Sequence, residues 1–353
     1  MLAVILVFSF PARALSARSA LLLDCATGRI LYERLADKQS LIASTTKIMT
    51  ALIVCEQCNV LDRMRIPKEA VGIEGSSMYL KEGEILTVQE LLYGMMLHSG
   101  NDAAVALAIY CAGTVEGFAQ MMNDKARALG MENSNFENPN GLDAANHYST
   151  ARDLSILAAY AMENPIFAKI VSTKTVHAGE RYLRNHNKLL WQLEGADGVK
   201  TGYTRAAGRI LVSSAVRNGR RLVAVTIAAP NDWQDHILLM ETGFKQYTQQ
   251  TIISRGEILG EVEIAGGDQE KVQLIAMDSF SFPLSDSEQP MIYLPHPGFV
   301  YAPVSECQEA GYAQIYLGDR WIGKVKLVYG KSVEQEIDQE PSLWKWLLGG
   351  NRT

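Results

Sequence analysis

Ser44 and Lys47 stand in a Ser-Thr-Thr-Lys run, a hydroxyl and an amine three residues apart. On a helix that spacing puts both side chains on one face, one turn apart. Ile48, Leu52 and Cys55 form an apolar stripe with Met49 and Ile53 beside it, which predicts a helix starting at Ser44. Free N–H groups and the dipole at such a start favour a developing alkoxide. The Lys47 amine can take the hydroxyl proton if burial or a second cation lowers its pKa. Alone, the run also describes a serine N-cap followed by a solvated lysine.

Two further clusters carry chemistry. Ser99-Gly100-Asn101 lies between two apolar helical stretches. In an extended tripeptide the first and third side chains point the same way, so the hydroxyl and the amide would face one cleft. Lys200-Thr201-Gly202 falls inside a strand pattern; a lysine and a threonine there can bind a carboxylate, and the glycine lets a substrate backbone approach. The plain alternatives are an asparagine N-cap in a loop and an exposed edge lysine that opposes aggregation.

The elements that must position these residues can be read in order. Residues 19–33 read as two short strands around Thr27-Gly28. Thr87 and Glu90 form a capping box before LLYGMML, so a helix starts there and ends near His98. Residues 102–112 are nearly all apolar, predicting a helix buried on most sides. Helices follow at 115–129, ended by Gly130, and from Thr150 to about Met162. Residues 198–204, 209–216 and 221–228 read as strands, with an Asn218-Gly219 hairpin turn between the last two. A helix over 232–247 would pack on that meander. Strands, a helical block, then strands and a helix give an α+β arrangement. From 249 to 340, short alternating runs such as EVEI, KVQLIA, QIYLG and KVKLVYG predict a small all-β domain.

At 353 residues the chain is too long for one ordinary core, so two domains are expected. With 48% apolar and 20% charged residues it is globular rather than disordered. A net charge of −6 argues against nucleic acid as a partner, since phosphate binding needs concentrated positive charge. The five cysteines have no framework spacing. Cys55-x-x-Cys58 has no second pair or nearby histidine to complete a metal set, and reads as two small hydrophobes in a helix. Residues 2–8 are an uncharged apolar run followed by Ala12-Arg13-Ala14 and Leu15-Ser16-Ala17, which predicts a signal peptide over 1–17 and export. The tail at 341–353, containing SLWKWLLGG, fits either a membrane interface or packing on the β domain.

S-x-x-K, S-x-N and K-T-G in this order resemble the signature set of penicillin-binding proteins and class A β-lactamases. Over residues 18–340 the chain is similar to the low-molecular-mass penicillin-binding proteins that act as serine-type D-alanyl-D-alanine carboxypeptidases. Gly75-Ser76-Ser77-Met78, the run LLYGMMLHSGNDAA, Asn138-Pro139-Asn140-Gly141-Leu142 and Asp197-Gly198 also carry the likeness. The resemblance implies a β-lactamase-like catalytic domain over 18–248, an antiparallel sheet plus a helical subdomain, followed by the all-β domain. It implies that Ser44 attacks the bond between two D-alanines of a peptidoglycan pentapeptide stem and that Lys47 is the general base. Ser99 would relay a proton to the leaving amine and Asn101 would position substrate and Lys47. Lys200 and Thr201, with Gly202, would hold the terminal carboxylate, and the N–H groups of Ser44 and Tyr203 would form the oxyanion hole. Neither metal nor organic cofactor is implied, β-lactams would acylate Ser44, and the tail would touch the outer face of the cytoplasmic membrane.

Two rivals share the scaffold. A class A β-lactamase needs a deacylating glutamate in an E-x-x-L-N stretch, and residues 102–199 hold none. Glu180 comes nearest, with Leu183 three residues on, but Arg184 stands where asparagine is needed. A D,D-endopeptidase that cuts cross-links is not separable by sequence.

Overall fold

The computed structural model describes residues 15–295 and 298–336. Most of the expected signal peptide and the whole 341–353 tail lie outside the described residues. The described chain divides into two compact units, one through Tyr247 and one from Thr248.

The first unit opens with a hairpin, β1 (Ser19–Asp24) and β2 (Arg29–Arg34), turned at Gly28 with φ 66°. A 3-10 turn over Ala43–Thr46 leads into α1 (Lys47–Gln57). Two short paired strands, β3 (Arg63–Arg65) and β4 (Ile85–Thr87), precede α2 (Val88–Leu97) and α3 (Asn101–Ala112). Next come α4 (Val115–Ala128), α5 (Ala151–Ala161) and α6 (Pro165–Ser172). A small hairpin, β5 (Thr175–Ala178) and β6 (Arg181–Arg184), and the single turn α7 (Leu189–Gln192) lead to the meander. The meander is β7 (Ala196–Thr204), β8 (Gly208–Arg217) and β9 (Arg220–Ile227), and α8 (Asp232–Gln246) closes the unit.

The main sheet is antiparallel with strand order β2-β1-β9-β8-β7, so the K-T-G strand is at an edge. Its side chains alternate between two cores, as strand geometry demands. Leu21, Leu23, Ile210, Val212, Val223 and Val225 face the helical block. Leu22, Leu211, Leu222 and Ala224 face Leu239 and Met240 of α8. Burial on both faces explains why these strands read as unbroken apolar runs. Asn218 and Gly219 both have positive φ, 50° and 76°, as the expected tight hairpin requires.

The predicted caps form. Thr87 Oγ1 accepts from Glu90 N–H at 3.1 Å, while Glu90 Oε2 accepts from Thr87 N–H at 2.7 Å. Thr150 caps α5 by accepting from Asp153 N–H at 3.0 Å. The N-terminal edge is packed. Leu15 and Ala17, placed by the sequence in the leader, are buried beside Leu22 and Leu239. Ser16 Oγ donates to Asp235 Oδ2 at 2.7 Å, and the same carboxylate accepts from Ala17 N–H at 3.0 Å.

The second unit is all β. β10 (Thr248–Ile253) pairs with β13 (Phe280–Leu284), antiparallel. Between them run β11 (Ile258–Ala265) and β12 (Lys271–Ala276). The short β14 (Met291–Tyr293) and β15 (Phe299–Tyr301) precede the long hairpin β16 (Glu309–Leu317) and β17 (Arg320–Tyr329). The larger sheet has the order β14-β16-β17-β12-β11-β15, with Val262, Leu274, Ile315 and Val325 in its core.

Candidate active site

Side-chain hydrogen bonds place the start of α1. Thr50 Oγ1 donates to Pro139 O at 2.7 Å, anchoring α1 to the 138–147 segment. His147 Nδ1 accepts from Glu137 N–H at 3.1 Å, and Thr46 Oγ1 lies 2.8 Å from His147 Nε2. A neutral ring with Nδ1 as acceptor must carry its proton on Nε2, so it donates to Thr46. Burial pushes His147 down to about 4, which keeps this tautomer neutral. Gly141, at φ 85°, presses against the turn before Ser44: a Cβ there would stand 1.9 Å from Ala43 O.

Lys47 is fully buried, yet its amine has three partners. Nζ lies 2.9 Å from Ser44 Oγ, 2.7 Å from Asn101 Oδ1 and 2.5 Å from Asn140 O. Burial holds its pKa well below the ordinary lysine value, and the nearby Lys200 cation lowers it further. The Asn101 amide is oriented by its other end, where Nδ2 donates to Glu74 O at 2.6 Å.

Ser99 and Asn101 do not form the extended tripeptide expected from the sequence. Ser99 sits at φ 63°, and Asn101 is already the first residue of α3. The reason is local bonding: Gly100 N–H donates to Gly94 O at 3.2 Å and Asn101 N–H to Ser76 O at 2.7 Å, which folds the chain straight into the helix. The two side chains still serve one cleft by different routes, Asn101 toward Lys47 and Ser99 toward Lys200. Asp102, beside them at the α3 N-terminus, clamps the 75–80 segment by accepting from Ser77 Oγ at 2.6 Å, Met78 N–H at 3.0 Å and Leu80 N–H at 3.1 Å. A carboxylate in the first turn of a helix is also favoured by the dipole.

Lys200 is 1% exposed, unlike the solvated edge lysine of the plain alternative. Its Nζ donates to Ser99 Oγ at 3.1 Å and to Thr201 O at 2.9 Å. Burial lowers it to about 7. Gly202 brings β7 against the turn before α1: a Cβ there would meet Ser44 N and Ile42 O, each at 3.3 Å. Ser44, Ser99, Thr201, Gly202 and Tyr203 line one cleft of about 720 Å³. The sequence reading missed several of its other walls: His98, His186, Trp191, Arg209 and Trp233. His98 directly precedes the Ser99-Gly100-Asn101 motif, while the other four come from segments with no motif and are joined only by folding. Among the described residues lining the cleft, the one carboxylate is Asp232, held by Arg209 with Nη2 at 3.0 Å from Oδ2. No group of three or more histidine, cysteine or acidic residues able to hold a metal occurs among the described residues.

A hydroxyl 2.9 Å from a buried amine of lowered pKa, at the seam between an antiparallel sheet and a helical block, is an arrangement suited to an active-serine acyl-transfer hydrolase. Comparison with known proteins agrees. Residues 7–231 match the family model of D-alanyl-D-alanine carboxypeptidase, and residues 247–335 match that of the penicillin-binding protein 5 C-terminal domain. The chain is 34% identical over 336 residues to D-alanyl-D-alanine carboxypeptidase DacD of Escherichia coli, covering 90% of this chain and 87% of that one. It is also 34% identical over 278 residues to DacF of Bacillus subtilis, covering 75% and 72%. Among solved structures, penicillin binding protein 5 from Haemophilus influenzae superposes with a TM-score of 0.74 at 29% identity, over 91% of this chain and 98% of that one. The chain belongs to the serine-type D-alanyl-D-alanine carboxypeptidase family.

Proposed function

We propose that this chain removes the terminal D-alanine from peptidoglycan pentapeptide stems through an acyl-enzyme on Ser44. One observation carries the reading: a wholly buried Lys47 amine 2.9 Å from Ser44 Oγ, with Asn101 Oδ1 and Asn140 O as its other neighbours. A neutral amine has two N–H donors and one lone pair. If the donors serve Asn101 and Asn140, the lone pair faces the Ser44 hydroxyl and accepts its proton.

Ser44 Oγ then attacks the carbonyl between the two D-alanines. The N–H groups of Ser44 and Tyr203 stabilise the oxyanion. Ser99, bonded to Lys200, passes a proton to the departing amine. Lys200 and Thr201 hold the terminal carboxylate beside Gly202. Water finally hydrolyses the ester. β-Lactams, which also present a carboxylate next to a strained amide, acylate the same serine. They leave slowly, because the cleft-lining residues described offer no unpaired carboxylate to activate water as a β-lactamase does. We also infer export to the outer face of the cytoplasmic membrane. Cleavage after Ala14 rather than Ala17 would keep the packed residues Leu15–Ala17 in the mature chain.

The test compares three substrates: a linear pentapeptide, a cross-linked muropeptide dimer and benzylpenicillin. D-Alanine release from the pentapeptide with slow penicillin turnover is expected. Cleavage of the dimer alone would make the chain an endopeptidase, and rapid penicillin turnover without D-alanine release would make it a β-lactamase.

A further inference from the structure

The catalytic account leaves the cysteines unused, and two of them meet. All five are free thiols. Cys58 ends α1, its N–H bonded to Val54 O at 3.0 Å. Cys111 is the penultimate residue of α3. The bond from Lys47 to Asn101 joins the opposite, N-terminal ends of these same helices. The two spans, Lys47 to Cys58 and Asn101 to Cys111, are nearly equal in length. Helices running side by side in one direction therefore bring the cysteines together about 15 Å from the catalytic lysine, at 1.5 Å of rise per residue.

The two side chains lie close enough for each thiol to shift the ionisation of the other. A hydrogen bond, from Tyr110 OH to Asp62 Oδ2 at 2.9 Å, fastens the end of α3 to the segment just after Cys58. Both thiols are half-buried, open enough for a small reagent, whereas Cys55 is enclosed in the core. The Cys55-x-x-Cys58 spacing seen in the sequence therefore points at the wrong pair. The mutual perturbation lowers the pKa of Cys111 and raises that of Cys58.

We propose that Cys58 and Cys111 are a reversible disulfide site that locks together the far ends of the two helices whose near ends present Lys47 and Asn101. The oxidant is a disulfide of the glutathione class. The Cys111 thiolate attacks one of its sulfurs, forming a mixed disulfide and releasing the first thiol. Cys58 then loses its proton and attacks Cys111 Sγ, releasing the second. Two protein thiols become one S–S bond, and the external disulfide becomes two thiols. The bond closes a loop that contains Ser99-Gly100-Asn101, and a long closed loop restrains the unfolded chain most. The site is independent of the peptidase reading, since it needs only the packing of α1 on α3.

The full chain is incubated with oxidised or reduced glutathione, quenched with iodoacetamide and digested. A peptide joining Cys58 to Cys111, lighter by two hydrogens, is expected from the oxidised sample. The oxidised protein should melt on the order of 5–10 °C above the reduced one. Cys111→Ser and Cys58→Ser should each abolish both the linked peptide and the shift while the reduced melting point changes little. Five alkylatable thiols after oxidation and unfolding, glutathione trapped singly on either cysteine, or a Cys55–Cys58 link would each overturn the proposal.

Discussion

At the residue scale, the proposed mechanism turns on the protonation of Lys47. Its amine must be neutral to accept the Ser44 proton, and burial together with Lys200 favours the neutral form. Lysine charges as pH falls, so the acylation rate should drop on the acid side of the profile. Asn101→Asp tests the cause. A carboxylate in place of Oδ1, now 2.7 Å from Nζ, would stabilise the ammonium and raise the Lys47 pKa. The acid limb of the acylation profile should therefore move to higher pH. Asn101→Ala, which removes the acceptor for Lys47 and the amide bonded to Glu74 O without adding a charge, should slow acylation by ~100-fold or more at neutral pH. Stopped-flow acylation by a chromogenic cephalosporin at several pH values checks both, and an unmoved limb in Asn101→Asp would count against Lys47 as the base.

At the element scale, the turn before α1 is held by a glycine on another segment. Gly141 combines φ 85° with a Cβ position 1.9 Å from Ala43 O, so Gly141→Ala must displace either the 138–142 segment or the Ser44 turn. A loss on the order of 3 kcal/mol in urea unfolding is expected, with slower acylation of the protein that remains folded. The same segments show what the sequence could and could not reveal. The S-x-x-K spacing, the Thr87–Glu90 capping box and the Asn218-Gly219 hairpin are local, and each has a local chemical reason. Ser99 was harder, because its left-handed conformation depends on bonds from Gly100 to Gly94 and from Asn101 to Ser76. The Asn140 carbonyl that meets Lys47 was illegible, since a backbone acceptor leaves no residue-type signal. The α6 helix and the β5–β6 hairpin were also passed over; their short, mixed runs take shape only by packing on α2 and β7.

At the scale of the whole molecule, buried histidines set an acid limit on stability. His236 is enclosed between Ser213 Oγ at 2.6 Å and Thr226 Oγ1 at 2.9 Å, and burial lowers it from 6.5 to about 3. His147 falls from 6.5 to about 4 for the same reason. Each is neutral when folded and takes up a proton more readily when unfolded. Their contribution is therefore complete above pH 6.5 and is lost as pH falls toward 4, on the order of 3 kcal/mol for each ring. Urea midpoints at pH 7.5, 5.5 and 4.0 should decline in that order; a flat series would show that the rings are not desolvated. The division of the chain into a mixed unit and an all-β unit was readable from periodicity alone, because alternation and helical stripes change character near residue 250. Residues 15–17 pack against the sheet and α8, and a small-residue segment looks the same whether it precedes a cleavage site or packs under a helix. The proposed mechanism centres on Ser44, and its most direct test is covalent labelling of the intact protein with benzylpenicillin, followed by peptide mapping. The account predicts one adduct, on Ser44, that is absent from Ser44→Ala and reduced by a competing pentapeptide. An adduct on any other residue, or undiminished labelling of Ser44→Ala, would contradict it.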